Sequence, residues 1–270
     1  MRTQSRLQFV EGPAGRLAVH RWGDAAAPAV LMNHSILASS QMWDEQARLL
    51  AGRGFQVLCL DTRGHGQSEA SPPPYRVEDL AMDNLRVLDA LGIARAHFVG
   101  LSLGGMTGFA LGIAHGDRLK SLCICDARAD TPAAMRGLWE ERIALAQVQG
   151  CASLATVTLE RWFAPAFIAQ QGPVVRALAQ AIGETQVDGF VGAARAIQDL
   201  DCLPRVGEIR VPTTFIVGAN DGPLPQAMRE LQALVPGAQL EVIADAGHLP
   251  NIERADAFNA ALLRHLAAGA

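Results

Sequence analysis

No apolar run in the 270 residues reaches about 18, the length a membrane-crossing helix needs. Residues Met1 to Arg6 lead into no apolar core of an export signal, so a cytoplasmic protein is expected. Neither sign of charge is in large excess. The net charge is −4, which gives no reason to expect nucleic acid or an anionic membrane as partner. Cysteine is scarce and odd in number: Cys59, Cys123, Cys125, Cys151 and Cys202. Without an export signal that argues for reduced thiols rather than a disulfide framework. Cys123 and Cys125 share one face of an expected strand, but no further ligands stand near them in sequence, so buried thiols are expected and no metal. Internal repeats and low-complexity tracts are also missing, which excludes solenoids and disordered arrays. What is present is an apolar half and a charged fifth, enough for a sizeable core in one large domain or one domain with an insertion.

Periodicity divides the chain. Leu7–Val10 and Arg16–Trp22 alternate about a Gly-Pro turn and read as two strands. The continuous apolar runs Ala29–Met32, Phe55–Leu60, Ala96–Val99 and Leu119–Cys125 read as strands buried on both faces. Between them, helices are expected over about 41–51, with Ser39 or Ser40 as cap, over 77–91, stopped at Gly92, and over 105–114. From about Ala127 to Arg205 the strand signal vanishes. Helical stretches over 132–149, 154–163, 173–183 and 189–200 are punctuated by Gly and Pro. Alternation then resumes with strands at 213–217 and 240–243 and helices at 225–234 and 251–267. The expected architecture is a mostly parallel sheet covered on both faces, an α/β fold. Its core is formed by residues 1–126 and 206–270, with a helical cap inserted at 127–205.

The chemistry converges on Gly100-Leu101-Ser102-Leu103-Gly104. A serine between two glycines, after a strand and before a helix, is the G-x-S-x-G nucleophile elbow. The turn is tight enough to exclude side chains at Gly100 and Gly104, and it lifts the Ser102 hydroxyl clear of the sheet. A serine needs a base to accept its proton. His248, in Asp245-Ala246-Gly247-His248, follows the last expected strand and so reaches the same sheet edge. The imidazole needs a carboxylate. Asp221, after the penultimate strand, is preferred and gives the chain order Ser, Asp, His. Asp126 is the fallback, and Asp245 shapes the turn. An oxyanion requires N–H donors. Those expected are the backbone amides of Leu103 and Ile36, with His34 structural beneath the second loop.

With these residues in view, the chain resembles the α/β-hydrolases over nearly its whole length. The resemblance rests on the elbow Gly-Leu-Ser-Leu-Gly-Gly, Asp61-Thr62-Arg63-Gly64-His65-Gly66-Gln67-Ser68, and the Asp221 and His248 loops. Met42-Trp43-Asp44 and Leu88-Asp89-Ala90-Leu91-Gly92-Ile93 bring it nearest to 3-oxoadipate enol-lactonases and related serine esterases. One departure is His34-Ser35, where many relatives carry His-Gly. The resemblance implies hydrolysis of a small ester or lactone through an acyl-enzyme on Ser102, without metal or organic cofactor. It also implies an arginine for an anionic substrate, with Arg128, Arg136, Arg142, Arg161 and Arg195 as candidates. Trp139, Trp162 and Phe163 either line the pocket or pack the insertion. Two other readings stay open: a cofactor-free haloperoxidase or perhydrolase, and a hydrolase-like receptor with slow turnover. The partner expected is the small-molecule substrate, and self-association is left open.

Overall fold

The computed structural model describes residues 5–268; Met1 to Gln4, considered above only for the lack of an export signal, lie outside them. Strands β1 (Arg6–Gly12) and β2 (Gly15–Trp22) form an antiparallel hairpin. The others are β3 (Ala29–Asn33), β4 (Gln56–Leu60), β5 (Ala96–Leu101), β6 (Leu119–Cys125), β7 (Thr213–Gly218) and β8 (Gln239–Ile243). They form one eight-stranded sheet in the order β1-β2-β4-β3-β5-β6-β7-β8. β2 runs antiparallel to both neighbours, and every pairing from β4 to β8 is parallel. β3, β4, β5 and β7 are buried at every position, as continuous apolar runs require. The edge strand β8 differs: it is largely open to solvent, and only Ile243 is buried.

Helices α1 (Asp44–Gly52), α2 (Val77–Ala90) and α3 (Leu103–Ala114) follow β3, β4 and β5. Five helices then separate β6 from β7: α4 (Ala133–Gln149), α5 (Ala155–Trp162), α6 (Pro165–Ala169), α7 (Pro173–Glu184) and α8 (Val187–Gln198). The chain ends in α9 (Leu224–Leu234), α10 (Pro250–Glu253) and α11 (Ala255–Ala268). Adjacent residues of β7 show how both faces are covered, because successive side chains of a strand point oppositely. Phe215 packs against Phe109 of α3, with ring centroids 6.2 Å apart. Its neighbour Thr214 meets His265 of α11 on the opposite face, at 2.8 Å. Each buried side chain of this size contributes roughly 1.5–3 kcal/mol. Among the described residues no helix is long and apolar enough to cross a membrane.

The five helices leave and rejoin the sheet at one place. Asp130 and Asp201 form an isolated antiparallel bridge. Beside it the Cys202 N–H donates to Ala129 O (2.7 Å) and the Thr131 N–H to Leu200 O (3.1 Å). The excursion is tied back to the sheet edge: the N–H of Gln186 donates to Gly64 O and that of Tyr75 to Gly192 O, at 3.2 and 3.3 Å.

Two helix starts or ends differ from their sequence reading, and tertiary bonds explain both. Residues Ser40–Trp43 form a 3-10 turn before α1, and no serine hydroxyl caps it. Instead the Ser40 N–H donates to Asp61 Oδ1 at 2.7 Å. The expected helix over 251–267 is broken at Arg254 (φ −136°, ψ 56°). The carboxylate of Glu253, just before the break, accepts the N–H groups of Gly247 (2.6 Å) and Ala164 (2.9 Å). The short α6 had no separate signal in the sequence.

Candidate active site

The carboxyl ends of β5, β6, β7 and β8 present Ser102, Asp126, Asp221 and His248 along one edge. Ser102 joins β5 to α3 in a conformation foreign to most residues, φ 55° and ψ −114°. Such backbone costs about 1–3 kcal/mol and persists only where its surroundings impose it. The flanking glycines show the constraint. A Cβ on Gly100 would stand 2.2 Å from Gly104 O, and one on Gly104 2.4 Å from Asn33 O. The Ser102 N–H donates to Cys125 O (2.9 Å), and its carbonyl accepts the N–H of Met106 (2.8 Å). The residue is 6% exposed.

The loop after β3 is set by His34. Its Nε2 accepts the Thr62 N–H at 2.9 Å, so the ring proton sits on Nδ1 and is donated to Ser35 O at 2.7 Å. Burial pushes this imidazole below its ordinary value and keeps it neutral, a structural role as the sequence suggested. The His34 carbonyl accepts the Gly104 N–H (3.2 Å), which brings the loop against the start of α3. Neither the Ile36 nor the Leu103 N–H donates to a protein acceptor among the described residues, and both residues are buried. The Ser35 hydroxyl is also buried without a hydrogen-bond partner.

The Asp61–Ser68 segment braces this loop. Asp61 accepts the N–H groups of Ser40 (2.7 Å) and Gln67 (2.9 Å) and stands 3.7 Å from His20 Nε2. Burial works against its charge, but His20 and the backbone donors hold the carboxyl below the usual carboxylate range. Arg63 makes a two-pronged bond to Asp83 (2.6 and 2.7 Å) and lies over Tyr75.

The Asp221 and His248 loops are locked together. A Cβ on Gly218 would fall 2.0 Å from Gly247 O, and the Asn220 N–H donates to Ala246 O at 2.8 Å. Asp245 takes φ 54°, in keeping with its expected place in the turn. His248 Nδ1–H donates to Asp221 Oδ2 at 2.7 Å, which leaves Nε2 as the free ring nitrogen. The His248 backbone N–H donates to Trp162 O (2.9 Å), so α5 of the insertion holds the loop from above. From the same helix Arg161 donates to the other oxygen, Asp221 Oδ1, at 2.5 Å. Burial opposes ionisation of Asp221, yet His248 and Arg161 outweigh it and hold the carboxyl at about 2.

The structure thus joins Asp221 to His248, with Asp126 beside them: one donor atom from each of the three lies within 4.8 Å of the others. These are also the atoms that could approach a metal ion, but both Asp221 oxygens are already matched by N–H donors. The Ser102 hydroxyl makes no hydrogen bond to His248 among the described residues. Catalytic hydrogen bonds are often loose without substrate. Sequence reasoning did not single out Arg161 as the partner of Asp221, nor Glu253. Arg161 was one of five undifferentiated arginines, and Glu253 read as an ordinary helix residue.

The other arginines sort themselves. Arg128 pairs with Asp130, Arg195 with Glu140, and Arg136 is exposed. Arg142 has no carboxylate partner among the described residues. It donates to Thr158 Oγ1 (2.7 Å) and lies over the Trp139 ring, 5.0 Å from its centroid. Trp139, Trp162 and Phe163 are all buried, and Phe163 stacks on Phe167. A surface cleft of about 630 Å³ lies between the β1–β2 turn and α2, and neither Ser102, Asp126, Asp221 nor His248 lines it.

A mostly parallel sheet with a strained serine between β5 and α3 defines a class, and comparison with known proteins agrees. Residues 28–255 match the family model described as alpha/beta hydrolase fold, and the chain belongs to that family. Within it, the chain is 32% identical over 242 residues to 3-oxoadipate enol-lactonase 2 of Acinetobacter baylyi, covering 89% of each chain. Among solved structures it is similar to the enol-lactonase from Burkholderia xenovorans LB400, with TM-score 0.92 and 34% identity over 96% of this chain and 100% of that one. A thermophilic esterase from Thermogutta terrifontis follows the same path, with TM-score 0.90 and 25% identity over 98% and 99%.

Proposed function

We propose that the protein is a serine hydrolase of carboxylic esters or lactones, with Ser102, His248 and Asp221 as its triad. The observation that carries this reading is the Asp221–His248 hydrogen bond at the sheet edge where the strained Ser102 stands. His248 Nε2 takes the Ser102 proton as Oγ bonds to the substrate carbonyl carbon. The oxyanion so formed receives the N–H groups of Ile36 and Leu103. The C–O bond then breaks, and His248 returns the proton to the leaving oxygen, which in a lactone stays on the same molecule. Water, deprotonated by His248, attacks the acyl-enzyme, and the acid departs as Ser102 regains its proton. The cycle balances without metal or organic cofactor. Five unpaired, buried thiols fit a cytoplasmic enzyme.

The relatives named as enol-lactonases point to a small anionic lactone such as 3-oxoadipate enol-lactone. Arg142 supports that choice. It is a partly buried cation with no carboxylate partner among the described residues, its Nε meets no acceptor among them, and burial together with Arg161 lowers its pKa. A substrate carboxylate would supply the missing charge. Turnover of 3-oxoadipate enol-lactone by the purified protein is the test. Saturable hydrolysis well above that of neutral p-nitrophenyl acetate is expected. Arg142→Gln should raise KM for the anionic lactone roughly tenfold, the worth of one charged hydrogen bond, and leave the neutral ester little changed. Acetate-dependent perhydrolysis outrunning all hydrolysis would overturn the reading.

A further inference from the structure

Asp126 is an ionisable side chain beside Asp221 and His248 for which the proposed cycle has no use. It follows β6 directly, with φ 44°, and its side chain is almost wholly buried. Its N–H donates to Ile216 O at 3.0 Å, and its Oδ1 accepts the Gly218 N–H at 2.8 Å. Its second oxygen, Oδ2, is buried and meets no donor. The charged and titratable groups around it are Asp221, His248 and Arg161, with the buried thiols of Cys125 and Cys123 behind. Arg161 is already engaged by Asp221.

The two carboxyl groups are therefore unequal. Asp221 has a donor on each oxygen and carries the charge. An ionised Asp126 would place a second buried negative charge beside the first, with one oxygen bare of donors. Such an arrangement is costly, and one member of a close carboxyl pair keeps its proton. A proton on Oδ2 removes the charge and turns the bare acceptor into a donor facing Asp221. Burial first, then the charge of Asp221, push this carboxyl well above the usual range, in the same direction.

We propose that Asp126 is a protonated carboxylic acid that donates a hydrogen bond to Asp221, acts as a positioning residue for the Asp221–His248 pair, and ionises to replace the lost counter-charge when Asp221 carries none. The inference rests on the triad reading for its kinetic part only. Its first test needs no substrate: the infrared difference between wild type and Asp126→Asn at pH 7. A carboxylic-acid C=O band, shifted in D₂O and absent from the variant, is expected; no such band overturns the proposal. If that band is present while Ser102→Ala keeps full activity, the triad reading fails and the protonation of Asp126 stands.

Kinetics then tests the positioning role. Asparagine keeps the Gly218 acceptor and a donor toward Asp221. Asp126→Asn should therefore lower kcat only about two- to threefold and leave the acid limb of the kcat/KM–pH profile in place, whereas Asp126→Ala should lower kcat about tenfold, the worth of one hydrogen bond. Loss of an ionised Asp126 would instead carry the acid limb of Asp126→Asn down by about one pH unit, and that result overturns the proposal. Asp221→Asn should retain roughly tenfold more turnover than Asp126→Asn/Asp221→Asn, the share of one displaced counter-charge. Equal rates in the two would overturn the replacement role.

Discussion

Two serine–histidine groupings occupy this one sheet, and only one has the makings of an active site. Deep in the sheet, Ser121 Oγ of β6 sits between His97 Nδ1 of β5 (2.7 Å) and His265 Nε2 of α11 (2.8 Å), and His265 Nδ1 reaches Thr214 Oγ1 (2.8 Å). Ser121 thus bonds two imidazoles, whereas the Ser102 hydroxyl bonds none among the described residues. Yet Ser121 lies within a strand, no carboxylate among the described residues bonds either ring, and the whole group is buried. At the other grouping, Ser102 is strained, His248 is anchored to a carboxylate, and two amides stand without acceptors. On the proposed reading, contact between a hydroxyl and an imidazole is not what sets a nucleophile apart. A counter-charge, free N–H donors and a position at the ends of parallel strands are.

The largest expected effect breaks the comparison outright. Ser102→Ala should lower turnover by about 10⁴-fold or more with folding intact, while Ser121→Ala should leave kcat unchanged. Steady-state rates beside thermal unfolding decide this. Ser121→Ala should instead lose about 1–3 kcal/mol of stability, because two buried imidazoles lose their shared partner.

The two groupings should also respond differently to acid. Burial, first among the causes, pushes His97 and His265 each down to about 4. In the unfolded chain imidazoles bind protons near 6.5, so between those values the unfolded state holds more protons and stability falls as pH drops. The cost is on the order of 3 kcal/mol per imidazole at most, and less for two that share one serine. Asp221, held at about 2, acts in the same direction but lower: its contribution is complete above the ordinary value near 3.8 and is lost as pH falls toward 2. Denaturant midpoints from pH 7 to 3 should show the first loss begin near 6.5 and shrink in a His97→Gln/His265→Gln variant.

A smaller change sharpens the account of the counter-charge. The Arg161 side chain is 48% exposed, so solvent screens its hold on Asp221 to about 1 kcal/mol. Arg161→Gln should reduce kcat by about fivefold to tenfold, and the loss should shrink as salt rises, because the half-exposed guanidinium is open to screening. A titration of kcat against ionic strength checks it.

How much of this was legible beforehand follows the range of the forces involved. The elbow was legible because its constraints are local: Gly100, Ser102 and Gly104 meet one another and the neighbouring strand end. The central strands were legible as continuous apolar runs and the β1–β2 hairpin by its alternation, while the openness of β8 comes from its place at the edge of the sheet. Asp221 was preferred to Asp126 on chain order although both follow strands, and both do arrive at His248. The donors on Asp221, and the bare oxygen of Asp126, separate them only in three dimensions. Arg161, Glu253 and the 3-10 turn at Ser40–Trp43 were illegible for the same reason. Each is fixed by a partner between about 20 and 90 residues away, and helical spacing alone does not tell one arginine of the insertion from another.

The most direct test is to trap the nucleophile with an aryl-alkyl fluorophosphonate and map the adduct by peptide mass spectrometry. One adduct per chain on Ser102, abolished by Ser102→Ala and unaffected by Ser121→Ala, is the expected result. Labelling that survives Ser102→Ala, or that maps to Ser121, would contradict it.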